Sequence, residues 1–599
     1  MIVGVVAPND RSATSVLEEI GAAMAVRWAP CSVRQGVAVA CSASNDSNPS
    51  CASGSDHAYI GALRGELPSP GVELPGDFAF IGSAEGRLRL ARGRFVGRPL
   101  YWLRVGSTTV ASTRLLPLAV AARADLRLNP AHLFALFDPR LRIWPNPPPF
   151  VGVQTVCANT LVDIDRFGGA RISEGPVRLE PELTLPTHEL AGALRDEFSS
   201  AVARECTGAR RVAVLGGGGV DSSNLLAMAV RNARRSGTAS VVPVAFDFGG
   251  IGDDRPHLRA LCSHLDVKPV RIAPSDGAAY GLRDRVVDGA AHLSVPGAFV
   301  MAAMARMRSV GAQAVLVGES SELLLDSEAA VFGDFLMTQP LRALACAGRF
   351  TAIYETRRQS WRRLVGGPLL RHALPPFALA LRYKSGRRRA AKHRLRELDW
   401  AGPRLRTFFA TERQDPFPPP IYSQRERVRR LASSGVLMAQ REFQSRWELA
   451  CGLRVSLPYF DDDFVRFAGR IPSGAMFAGA RERGLLRESM EGLVPDSVRY
   501  RMDKARPNEA SAEAFAVLEG TPAFEDLLSM RELDAMGIVD AKRFGTAFQE
   551  FALDPRADPS LWGSLWPAIT AEAYARWFRA FKTCNVDVTT SLVPSMVAS

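Results

Sequence analysis

Cysteine and histidine are scarce in this 599-residue sequence, at nine and eight residues, and no two cysteines form a C-x-x-C pair. That excludes a disulfide-stapled scaffold and a Cys/His zinc module. Cys31, Cys41 and Cys51 are evenly spaced but have no clustered histidines around them, so reduced thiols are expected there rather than a metal site. Long apolar runs are also missing. The opening MIVGVVAPND has no basic stretch before its short apolar run, and no later segment approaches the roughly eighteen uninterrupted apolar residues of a spanning helix. Neither a signal peptide nor a membrane span is expected, and a cytoplasmic location is.

What is present is ordinary globular composition: 47% hydrophobic and 23% charged residues, which excludes a disordered or collagen-like chain. The length allows about three to four domains. The net charge of +12 is concentrated. Residues 351–412 hold fifteen Lys/Arg against four Asp/Glu, including Arg387-Arg388-Arg389 and Lys392-His393-Arg394. No zinc-finger spacing or aromatic RNA-binding strand accompanies this charge, so a solvated or substrate-facing helical insertion is preferred to nucleic-acid binding.

The first part of the chain reads as short β-rich segments, VRQGVAVACS, GDFAFIGSAEGRLRLARGRF and RPLYWLRVGSTTVAST, with glycine-bearing turns, and implies an antiparallel sandwich. The proline-rich stretch from Pro139 to Phe150 reads as a connector, after which VQTVCANTLVDIDRFGGARIS resumes strand-turn-strand, ending a first domain at about residue 182. From HELAGALRDEFSSAVAREC onward strands alternate with helices, which predicts a doubly wound parallel sheet. Beyond Phe335 the pattern is helical to about Lys582, with Trp562, Trp566 and Trp577 as helical core.

The sharpest local signal is Leu215-Gly216-Gly217-Gly218-Gly219-Val220-Asp221-Ser222-Ser223, between a strand and a helix. Such glycines let backbone approach an anion, and the helix start offers free N–H groups. The loop lacks the Lys-Ser/Thr ending of a Walker loop and does not fit G-x-G-x-x-G. Asp221 would repel phosphate without a bridging cation, so the pattern asks for Mg²⁺ with pyrophosphate or triphosphate. A plain structural glycine turn is the alternative.

GGGGVDSS resembles the S-G-G-x-D-S-S pyrophosphate loop of the asparagine synthetase family, with Gly217 where the family usually has Ser. GDFAF, LARGRFVGRPLYW and VASTRLLPLA resemble its N-terminal glutaminase domain, with Gly93 replacing Asp. VLVGESSELLL, LPYFDDDFVRFAGRIP and LLRESMEGLVPDSVRYRMDKARP resemble later motifs, in the family's order over roughly residues 60 to 510. The resemblance implies an α+β Ntn-hydrolase-like sandwich over 1–182. It implies an α/β doubly wound synthetase domain of the adenine nucleotide alpha hydrolase type, with extra helices, over 187–584, and leaves a flexible tail over 585–599. The family's glutaminases carry a nucleophilic cysteine after the initiator Met, whereas this sequence has Ile2, and Arg454 and Ser456 replace the usual acidic and basic pair.

Among relatives without that cysteine are β-lactam synthetases and lasso-peptide cyclases, and Arg501-Met502-Asp503-Lys504 resembles the second. The implied activity is ATP-dependent lactam formation on a precursor peptide, with a leader peptidase as partner protein and neither nucleic acid nor membrane. A β-lactam-type or small-molecule amide ligase and a non-catalytic binding protein are the alternatives. By resemblance, ATP would contact Leu215, Gly217, Gly218, Gly219, Asp221, Ser222 and Ser223, with adenine near Phe246 and ribose near Gly318. Asp221 and Glu322 would hold Mg²⁺, Glu322 standing where the family has Asp. Glu319 would help deprotonate the amine, and Lys504 would stabilise charge on phosphorus and the acyl centre. The alternatives are surface-loop acids for the glutamates and a solvated loop cation for Lys504. Asp247, Asp253 and Asp254 read as a solvated loop.

Overall fold

The computed structural model describes residues 1–42, 51–53, 56–61, 63–64, 67–137, 147–176, 178–237, 239–247, 253–273, 275–277, 282, 285–293, 299–319, 321–352, 355–411, 422–433, 435–503, 515–516, 518–555 and 559–583. Two six-stranded antiparallel sheets come first. One runs in the order Gln154–Thr155, Tyr101–Val105, Thr108–Ser112, Ile2–Val6, Val37–Ser42, Trp28–Arg34. The other runs Ala170–Glu174, Thr160–Ile164, Arg87–Arg92, Phe78–Ala84, His57–Gly61, Cys51–Ser53.

Strand alternation explains how they stack. Ile2 and Val6 enter the core between the sheets with Val39, Ile81, Leu88 and Leu90. Val3 and Val5 point the other way, toward Leu17, Ile20 and Leu118 of the helices Asp10–Ala23 and Leu116–Ala121. Gly4 shares the inner face, and a Cβ there would sit 2.5 Å from Ile81 and 2.8 Å from Leu88, so the missing side chain lets the sheets close. The β-rich reading of this region omitted the helix Asp10–Ala23. Its signal was present: Asn9 caps it by accepting from the Ser12 N–H at 2.9 Å. Much of the Pro139–Phe150 connector falls outside the described residues.

After the helix Thr187–Cys206 comes a five-stranded, wholly parallel sheet in the order Val270–Ile272, Ser240–Phe246, Arg211–Leu215, Ala314–Val317, Arg454–Ser456. Its middle strands are apolar throughout because both faces are covered: Val212, Ala213, Val214, Val315 and Leu316 are all buried. The strand order reverses between Arg211–Leu215 and Ala314–Val317, and in such sheets the crevice beyond the carboxyl ends of those two strands is where ligands bind. Arg454–Ser456 lies within the stretch read as helical; three residues are too few for strand alternation to register. Otherwise the described chain from Ala329 to Thr583 is helical. The basic region forms the helices Arg357–Trp361, Gly367–Ala373, Pro376–Glu397 and Pro403–Thr411.

The helix Pro559–Thr583 returns to the first sheets, where Phe581 joins Val3 and Val5, while Trp566 is buried in a separate helical core. Trp577 is partly buried, and the side chain of Trp562 and residues 585–599 lie outside the described set. Among the described residues no helix is long and apolar enough to cross a membrane.

A seam of ion pairs joins the sandwich to the parallel-sheet region. Arg92, fully buried, meets Glu442 at 3.0 Å, Arg94 meets Asp462 at 3.0 Å, and Arg441 meets Asp77 at 3.2 Å. Arg98 meets Glu448 at 2.5 Å and Arg64 meets Asp461 at 2.9 Å. The acid and arginines of GDFAF and ARGRFVGRPLYW thus grip the helix Val436–Cys451 and the start of Asp462–Ala468.

Candidate active site

The glycine loop occupies the switch point. Leu215 ends its strand, the Gly216 N–H donates to the Val244 carbonyl at 3.0 Å, and Gly219 is the N-cap of the helix Val220–Ser236. Gly318 follows the neighbouring strand, and a Cβ on it would lie 3.1 Å from the Ser222 Cα, so the two loops touch only because it has none. A Cβ on Gly217 would overlap the Asp254 carboxylate, and one on Gly218 would come within 2.8 Å of the Asp254 carbonyl. The start of the helix Arg255–His264 therefore fills the space that a serine at position 217 would need.

Asp221 stands in the first helical turn. Its Oδ2 is held by the Arg483 guanidinium, while its Oδ1 is buried with no hydrogen-bond partner. Beneath it, the fully buried Tyr459 donates to the Asp221 carbonyl at 3.2 Å and stacks on Phe198 with centroids 4.4 Å apart. The Ser222 hydroxyl lies 3.3 Å from the Gly219 carbonyl, and Ser223 is fully buried with its hydroxyl unpartnered. Phe246 ends the adjacent strand, partly buried at the same crest.

Glu319 and Glu322 lie just past the strand Ala314–Val317. Glu319 is open to solvent on one side and accepts from the side-chain amides of Gln440, at 3.2 Å, and Gln444. The protein crowded around its carboxylate strips hydration, Glu322 adds like charge, and together they push its pKa up to about 7. Half-exposed Glu322 has an oxygen 3.9 Å from Arg483. A cavity of about 410 Å³ opens beside Glu322, lined by Asp326 and Glu328 together with Tyr422, Arg427 and Arg430, and Arg427 pairs with Glu328 at 3.2 Å. Another, of about 1060 Å³, is lined by turns of the N-terminal sheets, such as Gln35–Gly36 and Glu85–Gly86, and by the start of the helix Asp10–Ala23, and has none of these groups in it.

The aspartates read as a solvated loop are each paired with arginine. Asp253 binds Arg255 at 2.8 Å, Asp247 lies 3.8 Å from Arg255 and from Arg271, and Asp254 pairs with Arg501. Arg501 also holds Asp503 at 2.6 Å, which ties these two residues to the wall of the glycine loop. Lys504 itself lies outside the described residues. Arg454 donates to the Glu205 carbonyl at 2.9 Å, so this departure from the family pair secures the end of the helix Thr187–Cys206.

Sequence reasoning missed Arg483, Tyr459, Gln440 and Gln444. The two glutamines are spaced i,i+4 on one helix face, a usable signal. Arg483 has no local signature, because its partners are 162 and 262 residues away.

The donors fit Mg²⁺. Asp221 offers an orphaned carboxylate oxygen, Glu322 shares its arginine, and Mg²⁺ is usually held by one or two carboxylates completed by phosphate oxygens. Among the described residues no group of three or more His, Cys, Asp or Glu could form a closed metal cage.

The model of the asparagine synthase family matches residues 193–576. The chain belongs to the asparagine synthase family. Members of this family are ATP-dependent ligases, and the matched span contains the whole parallel sheet, the glycine loop and both glutamates. No curated protein sequence gave a significant match. Among solved structures, the glutamine phosphoribosylpyrophosphate (PRPP) amidotransferase from B. subtilis complexed with ADP and GMP matches at 11% identity. That match covers 53% of this chain and 80% of the other, with a TM-score of 0.19.

Proposed function

We propose that this asparagine synthase family protein is an AMP-forming macrolactam synthetase that joins an Asp or Glu side chain of a precursor peptide to the N-terminal amine of the core peptide. The observation that carries the reading is the pairing, at one switch point, of an anion-accepting glycine loop with a carboxylate whose pKa matches amine deprotonation near neutrality. The peptide carboxylate oxygen attacks the α-phosphorus of ATP, the bond to the β-phosphoryl oxygen breaks, and pyrophosphate leaves over Gly216–Gly219 and the start of Val220–Ser236. The amine nitrogen then attacks the acyl carbon, AMP departs with the former carboxylate oxygen, and Glu319 takes the ammonium proton. Asp221 and Glu322 are the groups that would hold Mg²⁺, which when bound supplies positive charge to the phosphate oxygens.

Gln440 and Gln444 fix the Glu319 carboxylate where the amine must lose its proton. Lys504, by its place in R-M-D-K, carries the compact charge for the pentavalent phosphorus and the tetrahedral acyl centre. The R-M-D-K segment and the basic helix Pro376–Glu397 support a peptide as substrate.

The test is incubation with MgATP and linear peptides carrying an N-terminal Gly and an internal Asp or Glu, read by mass spectrometry. Loss of one water from the peptide with matching AMP is the expected result. AMP formed only with small amino acids would replace the peptide with a small-molecule substrate, and no AMP with any substrate would overturn the ligase reading.

A further inference from the structure

Arg483 is the one site residue whose position conflicts with that chemistry as it stands. Its guanidinium binds Asp221, lies 3.3 Å from the Ser321 hydroxyl and 3.9 Å from Glu322, and its side chain is only 14% exposed. It therefore occupies the space between the two carboxylates that face the glycine loop. The backbone holds it there. Arg483 adopts a left-handed φ of 56°, which non-glycine residues avoid, and its N–H donates to the Ser327 hydroxyl at 3.0 Å. The following residue cannot be larger, because a Cβ on Gly484 would overlap the Ala478 carbonyl.

We propose that Arg483 and the divalent cation compete for one position between Asp221 and Glu322, and that phosphate drives the exchange. This rests on reading those two carboxylates as the ones that face the nucleotide. Two carboxylates with one guanidinium leave a single negative charge, and with one divalent cation they are neutral. A guanidinium and a divalent cation on the same oxygens repel each other. Arg483 must turn away for the cation to enter, and a guanidinium leaving a carboxylate with its backbone fixed needs a new anion within reach that offers two oxygens to its fork. Pyrophosphate or the nucleotide's phosphates supply one, and a phosphate takes a guanidinium in the same forked geometry as a carboxylate. The unpartnered Asp221 Oδ1 gives the cation a first foothold while Arg483 still holds Oδ2. Cation binding thereby becomes conditional on phosphate, and the site stays closed to free metal.

The experiment is Mn²⁺ titration of the full chain, followed by the electron paramagnetic resonance signal of free Mn²⁺, with and without inorganic pyrophosphate. The wild type is expected to bind Mn²⁺ weakly alone and at least tenfold more tightly with pyrophosphate. Arg483→Gln is expected to bind Mn²⁺ tenfold more tightly than wild type without pyrophosphate and to lose most of the pyrophosphate enhancement. Arg483→Lys, which keeps the charge without the fork, is expected to fall between them and serves if the glutamine variant folds poorly. Equal Mn²⁺ affinity of wild type and both variants without pyrophosphate, with Asp221→Asn still weakening it, would overturn the competition while leaving the metal reading intact. Unchanged affinity in Asp221→Asn would overturn the metal reading itself.

Discussion

The charged seam between the two regions and the crest of the parallel sheet hold similar residue types in opposite states. At the seam Arg92, Arg94, Arg98 and Arg441 each meet a carboxylate, with Arg92, Arg94 and Arg441 almost wholly buried. At the crest the Asp221 Oδ1 and the Ser223 hydroxyl are buried without partners, and Glu319 and Glu322 lie close enough for one to raise the pKa of the other. The seam leaves buried atoms unpartnered too, among them Asp77 Oδ1 and the Nε of Arg94 and Arg441, so what separates the two is charge: each seam acid meets an arginine, whereas the crest crowds two acids together, as ligand sites do when they perturb a pKa. The seam is balanced in charge, and the crest carries like charge that a bound cation would balance.

The largest expected contrast comes from Asp221→Asn. It should lower product formation roughly 10³-fold, as loss of a charge-stabilising group does, while the melting temperature moves by no more than a few degrees. A similar loss of melting temperature and activity would make Asp221 part of the seam in kind. Arg92→Ala should do the reverse. It strands Glu442 in the buried seam, and breaking such a pair costs about 3–5 kcal/mol, read by denaturant unfolding. Adding Glu442→Ala should recover part of that cost, because the stranded charge is gone. If the seam also positions the helix Val436–Cys451, the single variant will lose activity per folded molecule, since Gln440 and Gln444 on that helix hold Glu319.

Glu319→Gln should cost on the order of 10²-fold in rate and change its pH dependence. The Glu319 carboxyl is raised to about 7, so its basic form is scarce at pH 6 and dominant at pH 8, and the wild-type rate should climb through that interval. The variant should lose the part of the climb that centres near pH 7 and keep only the part set by the substrate amine, whose own pKa is about 7.7–8.0; an unchanged climb assigns the base to another group. Gly217→Ser is the mildest change. The added side chain pushes on Asp254 and loosens its pairing with Arg501, so a fall of about tenfold or less in kcat/KM is expected, at most about 1.4 kcal/mol. No change would show that Asp254 yields freely.

The crest was legible in the sequence and the seam was not, for physical reasons. A strand ending in Leu215, four glycines and a helix start form a contiguous local pattern, and local patterns fix where backbone N–H groups point. The apolar runs RVAVL and AVLV likewise mark strands buried on both faces. By contrast, GDFAF and ARGRFVGRPLYW identified a resemblance but gave no hint that Asp77, Arg92 and Arg98 reach across to Arg441, Glu442 and Glu448 some 350 residues later. Arg483 was hidden for the same reason, with nothing nearby to announce its left-handed turn. The helix Asp10–Ala23 is legible from its Asn9 cap, but it is flanked by strands whose alternation dominates the local pattern.

The most direct measurement follows oxygen. A linear peptide with ¹⁸O in the carboxylate of its internal Asp or Glu is incubated with MgATP and the protein, and the nucleotide and phosphate products are weighed by mass spectrometry. Adenylation of that carboxylate at the glycine loop predicts one ¹⁸O in AMP and none in pyrophosphate. Label in inorganic phosphate, or unlabelled AMP beside cyclised peptide, would contradict it.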